Sequence, residues 1–298
     1  MNPRVKLLHS TLARRPLLGD GAMGTQLQHL GLAPGACGEL WNAEQPIRVR
    51  QVHRGYLGAG CNFLTTNTFG GNSYVLAGHG AGARVRELNL AGARLAREVA
   101  GDRAWVLGDV GPFGGMFEPM GDAVPDEVSV AFRQQVAALL EGGADAILIE
   151  TMSDPVEAML AVQAAKAAGA EFILATYSFQ QSAKGFHTMM GTSVADAIAA
   201  LVAEGADAVG ANCGTEISLD AYVPLTAEIV AAAGKTPVIV QPNAGSPRLV
   251  DGQITYDATP AQFAAAVPRL LAAGARIIGG CCGSTPAHLA AMAAHLPR

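Results

Sequence analysis

The chain has little that would send it toward nucleic acid, a membrane or the outside of a cell. Only 15% of its 298 residues are charged and 5% are aromatic. Lysine plus arginine number 20 against 25 acidic residues, a net charge of −5, and the basic residues are scattered. That pattern leaves no footprint for a nucleic-acid backbone or an anionic lipid surface. No stretch reaches the roughly 18 uninterrupted apolar residues of a membrane span. The opening "MNPRVKLLHSTLARRPLL" interrupts each apolar run with charge, so it does not read as an export signal. Cysteine occurs only five times, an odd number, which with no export signal leads us to expect reduced thiols in a cytoplasmic protein. Linkers, charge blocks and composition shifts are also missing, so residues 1–298 are expected to form one domain.

What the chain does have is apolar bulk and glycine: half its residues are hydrophobic and 36 are Gly. The phrases "YLGAGCNFL", "REVAGDRAWVLG", "EGGADAILI", "AKAAGAEFILA", "LVAEGADAVG" and "LLAAGARIIG" share one plan. Each is the end of an Ala/Leu-rich helix, then a glycine suited to a left-handed C-cap, then a short apolar run suited to a buried parallel strand. With "RPLLGDG" and "TPVIVQPN" they predict eight strands, at about 17–20, 61–67, 104–110, 146–151, 172–178, 208–213, 237–243 and 276–281. Eight such units predict an α/β fold, a single (β/α)8 TIM barrel. The competing architecture is a doubly wound open sheet. Gly19-Asp20-Gly21-Ala22-Met23-Gly24 matches the glycine pattern of dinucleotide-binding folds, but the next strand comes too late for a tight first βαβ unit.

Chemistry in a barrel gathers at the C-terminal ends of the strands. There the sequence places Asp20, Thr66-Asn67-Thr68, Asp109, Glu150-Thr151, Tyr177-Ser178, Cys213, Asn243 and Cys281-Cys282. The adjacent cysteines of "IIGGCCGSTP" could be two small buried hydrophobes, a strained vicinal disulfide, or two thiolate ligands in need of a third. The sixth and eighth strands flank the seventh, so Cys213 can meet the pair across the barrel mouth. Both members of the pair can face one ion only if the chain bends, which Gly280 and Gly283 permit. Three soft thiolates select zinc, and three protein ligands leave a position open for substrate. Cys61 is expected on the opposite face as a packing residue. Cys37 is the one cysteine able to convert the site to a closed set of four, and His187 is the histidine to test as a ligand. Met116, Met120, Met189 and Met190 are expected either to pack the barrel rim or to line a contact surface for a partner. The carboxylates of Asp20 and Glu150 would be costly to bury unpaired. They either bond local backbone or read a cationic group on a ligand.

In order along the chain, "GDGAMGTQL", "TNTFGGN", "GANCG", "QPNAG" and "GGCCGSTPAHL" resemble the homocysteine S-methyltransferases. At "GDVGP" and "QPNAG" the chain looks most like the homocysteine-binding module of cobalamin-dependent methionine synthase. The resemblance implies zinc on Cys213, Cys281 and Cys282, with Asn243 as a weak fourth ligand at rest. It implies that Asp20 and Glu150 hold the amino group of homocysteine, and that the loop at Thr68 and Phe69 offers N–H groups to its carboxylate. Homocysteine would be methylated to methionine as a zinc-bound thiolate. Folate, cobalamin and activation domains are not expected in this chain, so the methyl donor would come in trans. Candidate donors are a corrinoid protein, free methylcobalamin, or a small methylated sulfonium or ammonium compound. Two other functions stay open: a non-catalytic zinc-binding subunit of a methyltransferase complex, and a dinucleotide-binding oxidoreductase.

Overall fold

The computed structural model describes residues 2–215, 217–250 and 253–297. Its strands are β1 (Leu17–Leu18), β2 (Phe63–Thr65), β3 (Trp105–Val110), β4 (Ala146–Met152), β5 (Ile173–Tyr177) and β6 (Phe179–Ser182). They continue with β7 (Gly185–Thr188), β8 (Ala208–Cys213), β9 (Val238–Pro242), β10 (Arg248–Val250), β11 (Gln253–Thr255) and β12 (Ile277–Ile278). Eight of them form one parallel sheet with neighbour order β1-β12-β9-β8-β5-β4-β3-β2. The ends of that row meet through Asn62. Its N–H donates to the Leu18 carbonyl at 2.8 Å, and its Oδ1 accepts from the Leu18 N–H at 2.9 Å. Helices separate consecutive barrel strands, so the fold is the expected (β/α)8 barrel and not an open doubly wound sheet.

Local chemistry explains the elements. Some helices begin on proline after a capping side chain, as where Asp154 Oδ1 accepts from the Val156 N–H at 2.8 Å ahead of Pro155–Ala167. Two of the repeated glycines, Gly143 and Gly205, take φ of 99° and 77° at the turn from helix to strand, where a side chain would be strained. All eight expected strands are present, but the first and last stop early. Past Leu18 and Ile278 the chain leaves regular pairing: the Gly280 N–H donates to the Asp20 carbonyl and the Cys281 N–H to that of Pro242. After the fifth strand the chain forms the antiparallel hairpin β6–β7, with Phe179 paired to Thr188, which the sequence pattern does not predict. A second hairpin, β10–β11, follows Asn243 and was likewise not foreseen.

The helix Pro3–Arg14 closes the bottom of the barrel. Its Val5, Leu8 and Leu12 pack with Leu17, Phe63, Leu107, Leu148, Leu174, Ile239 and Ile277, one apolar layer drawn from around the barrel. Burying each large side chain contributes roughly 1.5–3 kcal/mol. Arg4 and Arg97 both pair with the buried Asp145, tying that helix to the barrel wall. Side chains two residues apart on a strand share a face. The residues two beyond Phe63, Leu107, Leu148 and Ile239 are Thr65, Asp109, Glu150 and Gln241. A polar layer therefore sits directly above the apolar floor. Among the described residues, no helix is long and apolar enough to cross a membrane.

Candidate metal centre and substrate pocket

Above that floor lies a cavity of about 500 Å³, lined by Asp20, Thr65, Asp109, Glu150, Cys213, Gln241, Tyr256, Cys281 and Cys282 among others. The ligand atoms of Cys213, Cys281 and Cys282 lie within 4.8 Å of one another at its edge. All five cysteines are free thiols, so the adjacent pair is not a disulfide. The bend that aims both members inward is built from several contacts. The Ser284 hydroxyl donates to the Cys281 carbonyl at 2.7 Å, and the Ala244 N–H to that of Cys282 at 2.9 Å. Gly283 sits at φ 77°, and a Cβ there would lie 2.1 Å from the Tyr256 ring. The motif Gly19–Gly24 is spent on the same bend. The Ala22 N–H donates to Ser284 Oγ at 3.1 Å, and a Cβ on Gly21 would meet that oxygen at 2.5 Å. It packs against the cysteine turn.

Cys213 ends β8 at φ 56°, a left-handed conformation uncommon for a residue with a side chain. Across the mouth Thr151 is held at φ 64°, where β4 slips register against β5 between Ile149 and Met152. Such an irregularity re-aims side chains at the strand end. The fully buried Asn212 ties the two places together. Its Oδ1 accepts from the Thr151 N–H and the Thr176 hydroxyl, both at 2.8 Å. Its Nδ2 donates to Thr151 Oγ1 at 2.8 Å, Glu150 Oε2 at 3.3 Å and Cys281 Sγ at 3.7 Å. Tyr222 adds a hydroxyl bond to the Cys213 carbonyl.

Crowding sets the charge of the thiols. Cys213 is pulled down to about 3 because the thiols of Cys281 and Cys282 donate to it, with help from the Asn243 amide. By the same contacts Cys281 is driven well above the usual thiol range and Cys282 up to about 12. Three thiols this close hold a single negative charge unless a cation joins them, and a divalent cation deprotonates its thiols outright. Asn243 Nδ2 lies 3.5 Å from Cys213 Sγ, while its Oδ1 is buried with no partner among the described residues. Three soft sulfurs at one point, with a side-chain amide next to them, fit zinc.

The remaining expected residues fall as follows. Asp20 is buried and accepts from the Thr65 N–H and hydroxyl, each at 2.7 Å. Burial raises its carboxyl to about 6 despite those bonds. Burial also lifts Glu150, to about 8, with the charges on Cys213 and Asp20 adding to it. In the loop after β2, the Thr68 N–H is committed to the Thr66 carbonyl at 3.0 Å. Phe69 is 40% exposed at the pocket wall, and its N–H has no partner among the described residues. Cys61 is a buried packing residue, as expected. Cys37 is buried with Leu76, Ala81, Val85 and Leu88 and its thiol bonds Glu39 at 3.2 Å, so it stands apart from the three gathered thiols. His187 lies in β7 and bonds the neighbouring Thr188 carbonyl, also apart from them. The four methionines do not pack the rim: Met116, Met120, Met189 and Met190 are 42–69% exposed. Asn212, Thr65, Gln241 and Tyr256 are the contributors that motif reading missed. Period two from the apolar floor would have found Thr65 and Gln241.

The fold and site are thus a closed parallel barrel with three convergent cysteines at the edge of an acid-lined cavity, not a nucleotide-binding open sheet. The profile of the homocysteine S-methyltransferase family matches residues 17–296, and the chain belongs to that family. It is 32% identical over 311 residues to the methionine synthase of Mycobacterium leprae, covering 98% of this chain and 25% of that protein. The methionine synthase of Mycobacterium tuberculosis is also 32% identical, over 96% and 25% respectively. The chain thus spans about a quarter of the length of these relatives. It is similar over nearly all of both chains to the metallated form of the homocysteine methyltransferase MmuM from Escherichia coli. There the TM-score is 0.78 at 28% identity, over 98% of this chain and 99% of that one.

Proposed function

We propose that the protein methylates homocysteine to methionine, using zinc held by Cys213, Cys281 and Cys282 and a methyl donor supplied in trans. The observation that carries this reading is the trio of thiols within 4.8 Å at the edge of an acid-lined cavity. Zinc there would supply the one function the side chains lack, stabilising the substrate sulfur as a thiolate that stays nucleophilic at neutral pH. The chain's own residues do the rest. Asn212 holds Cys281 and Glu150 in one hydrogen-bonded unit, so the metal edge and the recognition wall keep a fixed spacing. Asn243 turns its Nδ2 toward Cys213, and a flip of that amide would bring its unpartnered Oδ1 to the metal as a weak donor that a substrate sulfur can displace.

Asp20 and Glu150 receive the substrate ammonium. Its positive charge offsets the cost of ionising the buried Asp20 and the half-buried Glu150, and they ionise as it docks. The open N–H of Phe69, in the loop with Thr68, faces the substrate carboxylate. The buried walls keep water from the reacting sulfur. Donors compatible with the site are a corrinoid protein, free methylcobalamin, or a small sulfonium or ammonium compound. Reduced thiols at the centre suit a cytoplasmic setting. The test is zinc-loaded protein with homocysteine and each donor in turn, following methionine. Turnover with one of them is the expected result. Zinc binding with no turnover from any donor would instead favour the non-catalytic zinc-binding subunit.

A further inference from the structure

The cavity wall carries four carboxyls, Asp20, Glu39, Asp109 and Glu150, and no lysine, arginine or histidine among its described lining residues. Glu39 is already engaged, accepting from the Gly70 N–H at 2.7 Å and from the Cys37 thiol. Asp109 is different. It is 4% exposed, and its Oδ1 has no hydrogen-bond partner among the described residues. On the same wall the Oε1 of Gln241, 5% exposed, is likewise unpartnered. Buried acceptors left open in a cavity are costly unless a ligand brings the donors. Nothing in the metal-and-thiol chemistry uses either of them.

Position ties Asp109 to the recognition acids. It lies two residues above Leu107 of the barrel floor, as Glu150 lies two above Leu148 on the neighbouring strand, so both face the barrel axis. Burial first, then the charges on Glu150 and Asp20, raise its carboxyl well above the usual range, which requires all three acids to feel one another. A primary ammonium has three N–H donors, and two carboxylates leave one of them to find a partner elsewhere.

We propose that Asp109 is a third acceptor for the substrate ammonium, making with Asp20 and Glu150 a pocket that reads all three N–H groups. This makes Asp109 a specificity-determining residue and the substrate class a primary-amine thiol. The inference rests on the homocysteine reading above. N-methylated or desamino thiols would leave a buried carboxyl unanswered and be selected against.

The test measures binding by calorimetry on zinc-loaded wild type, Asp109→Asn and Asp109→Leu, with metal content checked in each. The ligands are homocysteine, N-methylhomocysteine and 4-mercaptobutyrate, which lacks the amino group. Homocysteine should bind about tenfold or more weakly to both variants, the loss of one charge-assisted bond. Affinity for 4-mercaptobutyrate should be unchanged, and N-methylhomocysteine should lose less than homocysteine. The ligand-free Asp109→Leu protein should melt higher than wild type, because an unpaired buried acid has been removed. A merely structural Asp109 would lower the melting temperature and weaken all three thiols alike, which would overturn the inference. Homocysteine binding that is normal in both variants would overturn it too, while leaving the proposed function standing. Wild-type protein that holds zinc but binds no homocysteine would overturn the function and this inference together.

Discussion

Asn212→Ala should be the most damaging single truncation at the site, because one small side chain supports two strained strand ends. Its removal strands the Thr151 N–H and the Thr176 hydroxyl, the latter fully buried, without their acceptor. Leaving a buried donor unsatisfied costs about 1–3 kcal/mol each. Thr151 also loses the two bonds that hold it at φ 64°, a conformation that itself stores about 1–3 kcal/mol. If Thr151 relaxes, some of that strain is recovered, so we expect a net loss of about 2–5 kcal/mol. In a chain of this size that is a fall in Tm of roughly 3–8 °C. Relaxation would carry Glu150 out of place, and Cys281 would lose its amide donor, so zinc affinity should drop by about 10–100-fold. Thr176→Val is the graded control. It removes one donor and leaves the Thr151 bonds intact, so it should cost only about 1 kcal/mol and leave zinc affinity alone. Scanning calorimetry gives the stabilities, and competition with a chromogenic chelator gives the affinities. An Asn212→Ala protein as stable as Thr176→Val would show that Thr151 keeps its conformation without the amide, and the bracing argument would fall.

Two further outcomes are expected. Replacing Cys213, Cys281 or Cys282 by Ser should abolish stoichiometric zinc, while Cys37→Ser and Cys61→Ser should keep it; full occupancy in Cys282→Ser by elemental analysis would refute the three-thiol centre. The pH dependence of metal-free stability should slope downward between about pH 4 and 7, since Asp20, Glu157 and Glu150, raised to about 6, 7 and 8 in the folded protein, outnumber Cys213 and His53, lowered to about 3 and 4. The native state then holds protons that the unfolded chain has released, so stability present at low pH is lost as pH rises through that window. Asp20→Asn should flatten the lower part of the slope, and an unchanged slope in urea titrations across that range would show that Asp20 does not titrate there.

Much of the barrel was legible because glycine placement and apolar run length are local signals. Each helix end, left-handed glycine and buried strand is encoded within a dozen residues, as in "LVAEGADAVG". The cysteine trio was legible for a related reason, since barrel topology puts the ends of the sixth and eighth strands on either side of the seventh. The hairpins were not. In "SFQQSAKGFHTMMGT" the polar residues outnumber the apolar ones, and β6–β7 is held by its own cross-strand pairing and its place beside β8. The N-terminal helix was equally silent. Its spacing of Val5, Leu8 and Leu12 fits any amphipathic helix, and only the open bottom of a barrel gives that stripe a destination.

The recognition wall shows where local reading stops and periodicity could have gone further. Asp20 and Glu150 stood out because each closes an apolar run with a charge. Asp109 closes one in the same way, in "WVLGDV", yet a motif gives no reason to group it with them. The grouping comes from the floor. Once Leu107 and Leu148 are known to share the apolar layer, period two forces Asp109 and Glu150 into the layer above, facing the same axis from adjacent strands. Three carboxyls brought together without a cationic side chain cannot all stay ionised, and the raised carboxyls of Asp20, Glu150 and Asp109 record that conflict. The barrel tolerates it because the floor and helix shell supply stability elsewhere. A cationic amino acid that enters with its thiol toward the cysteines resolves the conflict at one end of the cavity as it meets the metal site at the other.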